Sequence, residues 1–432
     1  MTVADVVLPA ADRIDDPGLV GQTDILLPEG SRIVHIGPHK TGTTGLQAAL
    51  YMAREDLDRQ GVHYASEGRH AMTPVLAGLG LPSSWSSDGR PPPRWKWQRL
   101  LTEVRMSGAK RVVLSSEFFA DGEPDGIQRV VEELDPSRVQ VVVTLRPLSK
   151  IIPSQWQQWV QNQVVTPLDE WVESLLDQPR HGPSAQFWHR HRHDALIARW
   201  AEIVGPERVT AVALDDGDRD MVLRVFERLT GLESGTLKPV SDLSNRSMTY
   251  PEIEVIRAFN IAFRDQKLPK QLYSRVMRFG AAALMEARVP EADEPRIELP
   301  AWSVDRIAAI SHEMVASIRA SGVRVVGDLE AMTAVPAGRS PEAGPVSVSP
   351  KVAASAAMGV LVASGLARGT APITAEDGEE PEDEEKAKRA PRPVQEPPEL
   401  LRVSTAQLGI VILRRSRAAL TDRVRGLLRR PR

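Results

Sequence analysis

The chain has 432 residues, a formal net charge of -3 and 42% hydrophobic residues. That is room for one large α/β domain with extensions, or for two domains, and enough apolar side chains for a sizeable core. The near-zero charge balance excludes a global basic field of the kind that binds nucleic acid, and the absence of cysteine excludes disulfides and thiolate metal sites.

Residues 1–30 read as a loose leader, with Asp15, Asp16, Pro17 and Gly18 in one turn signal and Pro28 and Gly30 in another. The leader has no basic n-region followed by a long apolar stretch, so no signal peptide is expected. No run reaches about 18 apolar residues, so no membrane-spanning helix is expected; the location expected is cytoplasmic, with membrane association left open. From Ser31 the pattern changes. Ile33, Val34 and Ile36, interrupted by His35, suit a buried strand, which Gly37 and Pro38 end. A helical pattern over 43–59 opens with Leu46, Leu50 and Met52, and 62–65 reads as a short strand. Residues 66–94, with Pro91, Pro92 and Pro93, predict a long surface connection. A helix with Trp95, Trp97, Leu100, Leu101 and Val104 follows.

Residues 111–117 and 139–146 are strong strands, separated by a helix over 124–134. Helical patterns cover 149–163, 167–177 and roughly 184–203, then 209–216 is another strand. A helix over about 219–230 ends at Gly231, as a C-terminal cap does. Helices over about 250–264, 269–287 and 303–320 complete residues 31–335. Strands alternating with helices predict an α/β domain, a P-loop-like parallel sheet flanked by helices on both faces. Ligands of such sheets sit beyond the carboxyl ends of the strands. Three polar features fall there: the loop after Gly37, Glu117 and Arg146.

Past residue 335 the composition turns to Pro, Ala, Gly and Glu, and eight of the ten residues 376–385 are acidic. Residues 336–399 are therefore expected to be a disordered linker, with 352–366 apolar enough for a short helix. In 400–432, leucines and valines recur at helical spacing with arginines between them. That is a basic amphipathic helix, suited to peripheral contact with a membrane or to docking on a partner, and otherwise a solvated helix.

The loop itself, Pro38-His39-Lys40-Thr41-Gly42-Thr43-Thr44, joins a strand to a helix N-terminus. Unpaired N–H groups and the helix dipole favour an anion there, and a lysine and threonine hydroxyls add donors, so the loop is expected to hold a phosphate. It is not a Walker A loop: Gly37 and Gly42 have the right separation, but Thr43 stands where the lysine belongs and the lysine is at 40, inside the turn. From there an ammonium reaches the bridging oxygen of a bound phosphate ester.

This loop resembles the 5′-phosphosulfate-binding loop of sulfotransferases that use 3′-phosphoadenosine 5′-phosphosulfate (PAPS). A second element supports the resemblance. Arg146 ends a strand and Ser154 lies eight residues on, the pattern of the family's 3′-phosphate-binding element. The resemblance spans roughly residues 31–330 and is closer to the bacterial and carbohydrate-type branch, because Gly45 stands where cytosolic members carry a tryptophan that stacks on adenine.

The resemblance implies that Lys40 stabilises the leaving phosphate, that Thr41, Gly42, Thr43 and Thr44 hold the 5′-phosphate, and that Arg146 and Ser154 hold the 3′-phosphate. It implies PAPS as donor, 3′,5′-bisphosphate (PAP) as product, and no metal. Residues 243–252 are similar to a loop near the nucleotide, with Asn245 and Arg246 as contacts or else Ser247 or Thr249 as a helix cap. Glu117 is the candidate general base, with His39 the alternative. His189, His191 and His193, after His181, have conceivable metal spacing but read rather as a solvated or acceptor-facing helix. The acceptor is a hydroxyl or amine, with carbohydrate or glycolipid favoured over other small molecules. The competing class is a nucleotide-binding or kinase-like protein that transfers no sulfuryl group.

Overall fold

Runs of β-branched residues buried on both faces build the centre of the molecule. They form β1 (Ser31–Ile36), β2 (Val62–Tyr64), β3 (Arg111–Ser115), β4 (Val139–Leu145), β5 (Val209–Ala213) and β6 (Arg324–Val326). The strands make one all-parallel sheet in the order β2-β3-β1-β4-β5-β6. The protein is thus α/β with a six-stranded parallel sheet flanked by helices, as its alternating pattern dictates. The computed structural model describes residues 25–83, 89–240, 246–335 and 346–364.

Helices α1 (Thr43–Met52) and α2 (Arg54–Arg59) follow β1, and α3 (Met72–Leu79) and α4 (Arg94–Met106) lie between β2 and β3. Then α5 (Pro124–Glu133) leads to β4. Between β4 and β5 run α6 (Leu148–Gln161), α7 (Leu168–Asp177), α8 (Gly182–His191) and α9 (His193–Val204). After β5 come α10 (Met221–Thr230), α11 (Tyr250–Asp265), α12 (Lys270–Tyr273), a π-helical stretch Ser274–Ala282, α13 (Ala283–Ala287), α14 (Val304–Ala320) and, beyond β6, α15 (Pro350–Ser364).

Successive residues of one strand feed opposite cores. Val34 and Ile36 join Leu114, Val141 and Val143 on one face with Ile127 of α5 and Leu196 and Trp200 of α9. Ile33, Val113, Val142 and Val212 join Leu46 and Leu50 of α1 and Phe226 of α10 on the other. A third cluster, away from the sheet, gathers Trp156, Trp171, Phe187, Ile253, Met277 and Met285. The helix pair carrying His189–His193 breaks at Arg192, whose ψ is 82°, so one predicted helix becomes two.

Four expectations change. The predicted surface connection contains α3, which buries Val75, Leu76 and Leu79 because apolar residues recur along it. The helix over 43–59 breaks at Ala53. β6, only Arg-Val-Val, carries too little pattern to be seen in sequence. Within the linker, the short helix expected over 352–366 is α15, and it is packed rather than loose: it buries Val352, Ala356 and Gly359 against the third cluster. The contact is close because both sides are bare: a Cβ on Gly359 would lie 2.4 Å from the Gly280 carbonyl oxygen. The leader 1–24, residues 365–399 of the linker and the 400–432 amphipathic pattern lie outside the described residues. Among the described residues no helix is long and apolar enough to cross a membrane.

Candidate functional site

β1 carries the chain into the loop, and glycine at 37 is a steric requirement. A Cβ there would sit 1.9 Å from Thr43 Oγ1, which instead donates to the Gly37 carbonyl at 2.8 Å. The loop then turns through two left-handed residues, Lys40 at φ 73° and Gly42 at φ 79°. That conformation costs a non-glycine residue about 1–2 kcal/mol, so Lys40 is held in it by its surroundings. Thr41 N and Thr41 Oγ1 both donate to the Pro38 carbonyl, and Arg146 Nη1 donates to the Lys40 carbonyl at 3.1 Å. α1 starts at Thr43 with no side-chain cap and no acidic residue in its first turn. Its N-terminal N–H groups and dipole are thus left to an anion.

The threonines divide their work. Thr44 and Gly42 are exposed at the helix end, whereas Thr41 and Thr43 are buried. The side chains of Thr43 and Thr44 were expected to hold the phosphate with the backbone N–H groups of 41–45; the Thr43 hydroxyl donates to the Gly37 carbonyl, and that of Thr41 to the Pro38 carbonyl. They shape the loop, and Thr44 with the backbone N–H groups remains for the anion. Beneath them lies a polar layer that bridges three strands. His35 Nδ1 is 2.7 Å from Ser115 Oγ on β3 and Nε2 is 3.3 Å from Thr144 Oγ1 on β4, which is 3.0 Å from Thr41 Oγ1. Burial holds His35 near a pKa of about 3, so the ring is neutral and can serve as donor to one neighbour and acceptor from the other. Ser115, Thr144 and Gln47 are the members that sequence reading missed. Only their positions, two at strand ends and one a turn into α1, hinted at them.

Lys40 is half-buried, and burial pushes its ammonium down to about 8. Glu286 opposes that shift and Arg146 adds to it. Glu286, on α13, is itself raised by burial and accepts from Gln161 Nε2 at 2.9 Å. Arg146 leaves β4 into the same region and is a bridge. Nε donates to Asp216 Oδ1 at 2.7 Å, Nη2 to Asp216 Oδ2 at 3.2 Å, and Nη1 to the loop at Lys40. One N–H on each terminal nitrogen has no partner among the described residues. A 3′-phosphate would therefore share this guanidinium with Asp216. Ser154 is the seventh residue of α6, half-buried, since the helix starts after Pro147.

Glu117 does not end a strand. β3 stops at Ser115, and Glu117 opens a 3-10 turn, Glu117–Asp121, whose cap Ser116 accepts from Phe118 N at 3.3 Å. Its carboxylate meets Gln47 Nε2 at 3.4 Å, and Gln47 Oε1 pairs with His70 Nδ1 at 2.6 Å. No cation pairs with Glu117 among the described residues. Since Gln47 lies on the phosphate-loop helix, this contact joins the candidate base to the candidate anion site. His39 joins them from the other side: its ring stands edge-on to Phe118, centroids 5.4 Å apart. Burial, with Arg190 and Lys40 adding repulsion, keeps His39 well below the usual histidine range.

Arg246, expected beside the nucleotide, donates its N–H groups within the protein. Its guanidinium donates to the carbonyls of Arg288, Ser247 and Met285 and to both oxygens of Glu252, which uses all five N–H groups. Glu252 is fully buried, Arg288 bridges it to Glu294, and Glu252 Oε2 accepts from Thr249 N in a capping box. The network staples α11 to α13. Asn245 lies outside the described residues. His191 and His193 are buried, not solvated as their polar neighbours suggested, because the break at Arg192 turns them inward. Among the described residues no group of histidines and carboxylates could hold a metal ion.

No family model matches this sequence, and no curated protein matches it. Among solved structures, the crystal structure of a sulfotransferase from Alicyclobacillus acidocaldarius is similar. It is 16% identical, with a TM-score of 0.35, over 54% of this chain and 93% of that one.

Proposed function

We propose that the protein transfers a sulfuryl group from PAPS to a hydroxyl or amine acceptor, in the manner of the sulfotransferases its loop resembles. The observation that carries this is the position of Lys40. Lys40 stands in the turn before an uncapped helix N-terminus, its backbone left-handed and its carbonyl held by Arg146. An ammonium there can neutralise charge as it grows on the bridging oxygen of a phosphosulfate, while the helix end and Thr44 hold the 5′-phosphate. The acceptor oxygen forms a bond to sulfur, the sulfur–oxygen bond to the nucleotide breaks, and PAP leaves. Glu117 takes the acceptor proton, with its carboxylate oriented by Gln47. Arg146 meets the 3′-phosphate with its two spare N–H groups, and Ser154 adds a hydroxyl.

Calorimetric titration tests this reading. PAP is expected to bind without Mg²⁺ and to outcompete ATP. Tight ATP binding that requires Mg²⁺, with none for PAP, would instead make the protein a kinase-like nucleotide binder.

A further inference from the structure

A cleft of about 220 Å³ lies at the amino end of the sheet, between the start of β1, the end of α4 and the turn into β4. Arg32, Arg105 and Arg138 wall it, and no carboxylate lines it. β1 separates it from the phosphate loop: Arg32 and Gly37 stand roughly 16 Å apart at about 3.3 Å per residue. Arg32 N donates to the Arg138 carbonyl at 2.8 Å, so these two residues are neighbours across the strand ends. The rim is open, since a Cβ added to Gly30 or Gly108 would meet nothing within 4 Å.

Helix capping explains part of this cluster. Arg32 Nη1 donates to the Leu134 carbonyl at 2.5 Å and Arg105 Nη2 to the Glu133 carbonyl at 3.1 Å, which satisfies the carboxyl end of α5. Those bonds occupy one N–H of the five on each guanidinium. Arg138 caps nothing; its Nε pairs with Asp135 Oδ2 at 3.2 Å, and Asp135 also accepts from the Ser137 N–H and hydroxyl. Three guanidiniums and this one carboxylate leave the cleft with a charge of +2. Arg32 feels the crowding: burial first, then Arg138 and Arg105, disfavour its charge, and Asp135 opposes them. A dianion would cancel the excess and give the remaining N–H groups an acceptor, and the oxygens of a tetrahedral oxyanion match the paired N–H groups of arginine. The cleft is smaller than the roughly 300–1,000 Å³ that engulfs a drug-sized ligand, so it takes a small anion or the head of a larger one, not a whole nucleotide.

We propose that Arg32, Arg105 and Arg138 bind a doubly charged tetrahedral oxyanion: sulfate, phosphate or the head of a phosphate monoester. The site lies at the opposite end of the sheet from the phosphate loop, and it does not rest on the sulfuryl-transfer reading.

The test uses full-length protein with nitrogen-labelled arginine, followed by NMR of the Nε–H signals at constant ionic strength, so that screening does not change during the titration. The probes are sulfate, inorganic phosphate and glycerol phosphate, with nitrate and acetate as singly charged controls, each up to about 50 mM, a range that covers millimolar binding. The Arg32 and Arg138 signals are expected to shift with sulfate and phosphate, to saturate, and to stay unmoved by nitrate and acetate. Tighter binding of glycerol phosphate than of either inorganic ion would assign the site to a monoester, and the reverse to the inorganic ion. Arg138 is more than half exposed, so its variants keep the fold, which equal melting in chloride confirms. Arg138→Gln is expected to weaken sulfate about tenfold, or about 1.4 kcal/mol, and Arg138→Glu to abolish the Arg32 response, with PAP affinity within about threefold in both. A shift that rises linearly without saturating, an equal response to nitrate, or an Arg32 response that survives Arg138→Glu overturns the proposal. PAP failing to bind would overturn only the donor reading, because this titration is made without it.

Discussion

The depressed pKa of Lys40 makes PAP affinity depend on pH in a defined window. Without ligand the group titrates near 8, below the ordinary lysine value, because burial and then Arg146 disfavour its charge. A bound phosphate restores a counter-charge and raises that pKa, so above about pH 8 binding must take up a proton. Apparent affinity is then expected to fall about tenfold per pH unit, or about 1.4 kcal/mol, from about pH 8 upward until the bound group also titrates. Working above about pH 7 keeps the nucleotide phosphates ionised, since their second pKa lies near 6. Calorimetry in buffers of different ionisation enthalpy reads both the affinity and the proton uptake. Lys40→Met is expected to lose about 1.5–3 kcal/mol of PAP binding near neutral pH, the scale of a hydrogen bond to a charged group, and to show a flat profile. A flat profile for the native protein, with no proton uptake, would mean that Lys40 does not touch the phosphate. For the ligand-free fold the sign is opposite. The folded state loses this proton before the unfolded chain does, so Lys40 makes stability rise between about pH 8 and pH 10.4.

Five further outcomes are expected. Glu117→Gln should lower turnover by about 10²–10⁴-fold while PAP affinity stays within a few-fold, and normal turnover in Glu117→Gln with none in His39→Ala would pass the base role to the histidine. Arg146→Ala should weaken PAP by roughly 2–4 kcal/mol and adenosine 5′-phosphosulfate much less, whereas equal losses would mean that Arg146 acts only as a brace between Asp216 and the loop. Glu252→Gln leaves Arg246 without its carboxylate partner, while Arg288 keeps Glu294, and should cost about 3–5 kcal/mol in denaturant unfolding. In the same network Glu294 is held down to about 2 and Glu252 is lowered too, so their contribution is present above about pH 4.3 and is lost as pH falls toward 2. Removing 365–432 should leave the melting temperature unchanged, while removing 336–432 takes α15 off the third core and should lower it; equal melting of both would deny α15 a structural role.

The sheet was legible because both of its strongest signals are local. Buried β-branched runs at 111–115 and 139–145 and the glycine turn after Ile36 needed no knowledge of their neighbours. The turn between β1 and α1 was equally legible, because its glycine, lysine and threonine are contiguous. What stayed hidden depends on distant partners. Nothing near Arg146 reveals that Asp216 will grip it from 70 residues away, and nothing near Arg246 reveals Arg288 or Met285. The Thr43 hydroxyl looked like a ligand donor because a sequence does not display the Gly37 carbonyl that claims it. His191 and His193 read as a solvated or acceptor-facing helix because their neighbours are arginines, and the break at Arg192 that buries them leaves no mark in the sequence. The π-helical stretch Ser274–Ala282 has a period that a 3.6-residue template absorbs, so it read as part of one helix.

Sulfuryl transfer itself is the most direct measurement. Full-length protein is incubated with sulfur-labelled PAPS and a mixed array of neutral glycosides, glycolipid headgroups, amines and phenols, without added metal. Label is expected to move onto a hydroxyl compound in step with PAP release, and Lys40→Ala is expected to abolish the transfer. Label recovered only as inorganic sulfate at the uncatalysed rate, alongside transfer of the terminal phosphate when Mg²⁺ and ATP replace PAPS, would contradict the account.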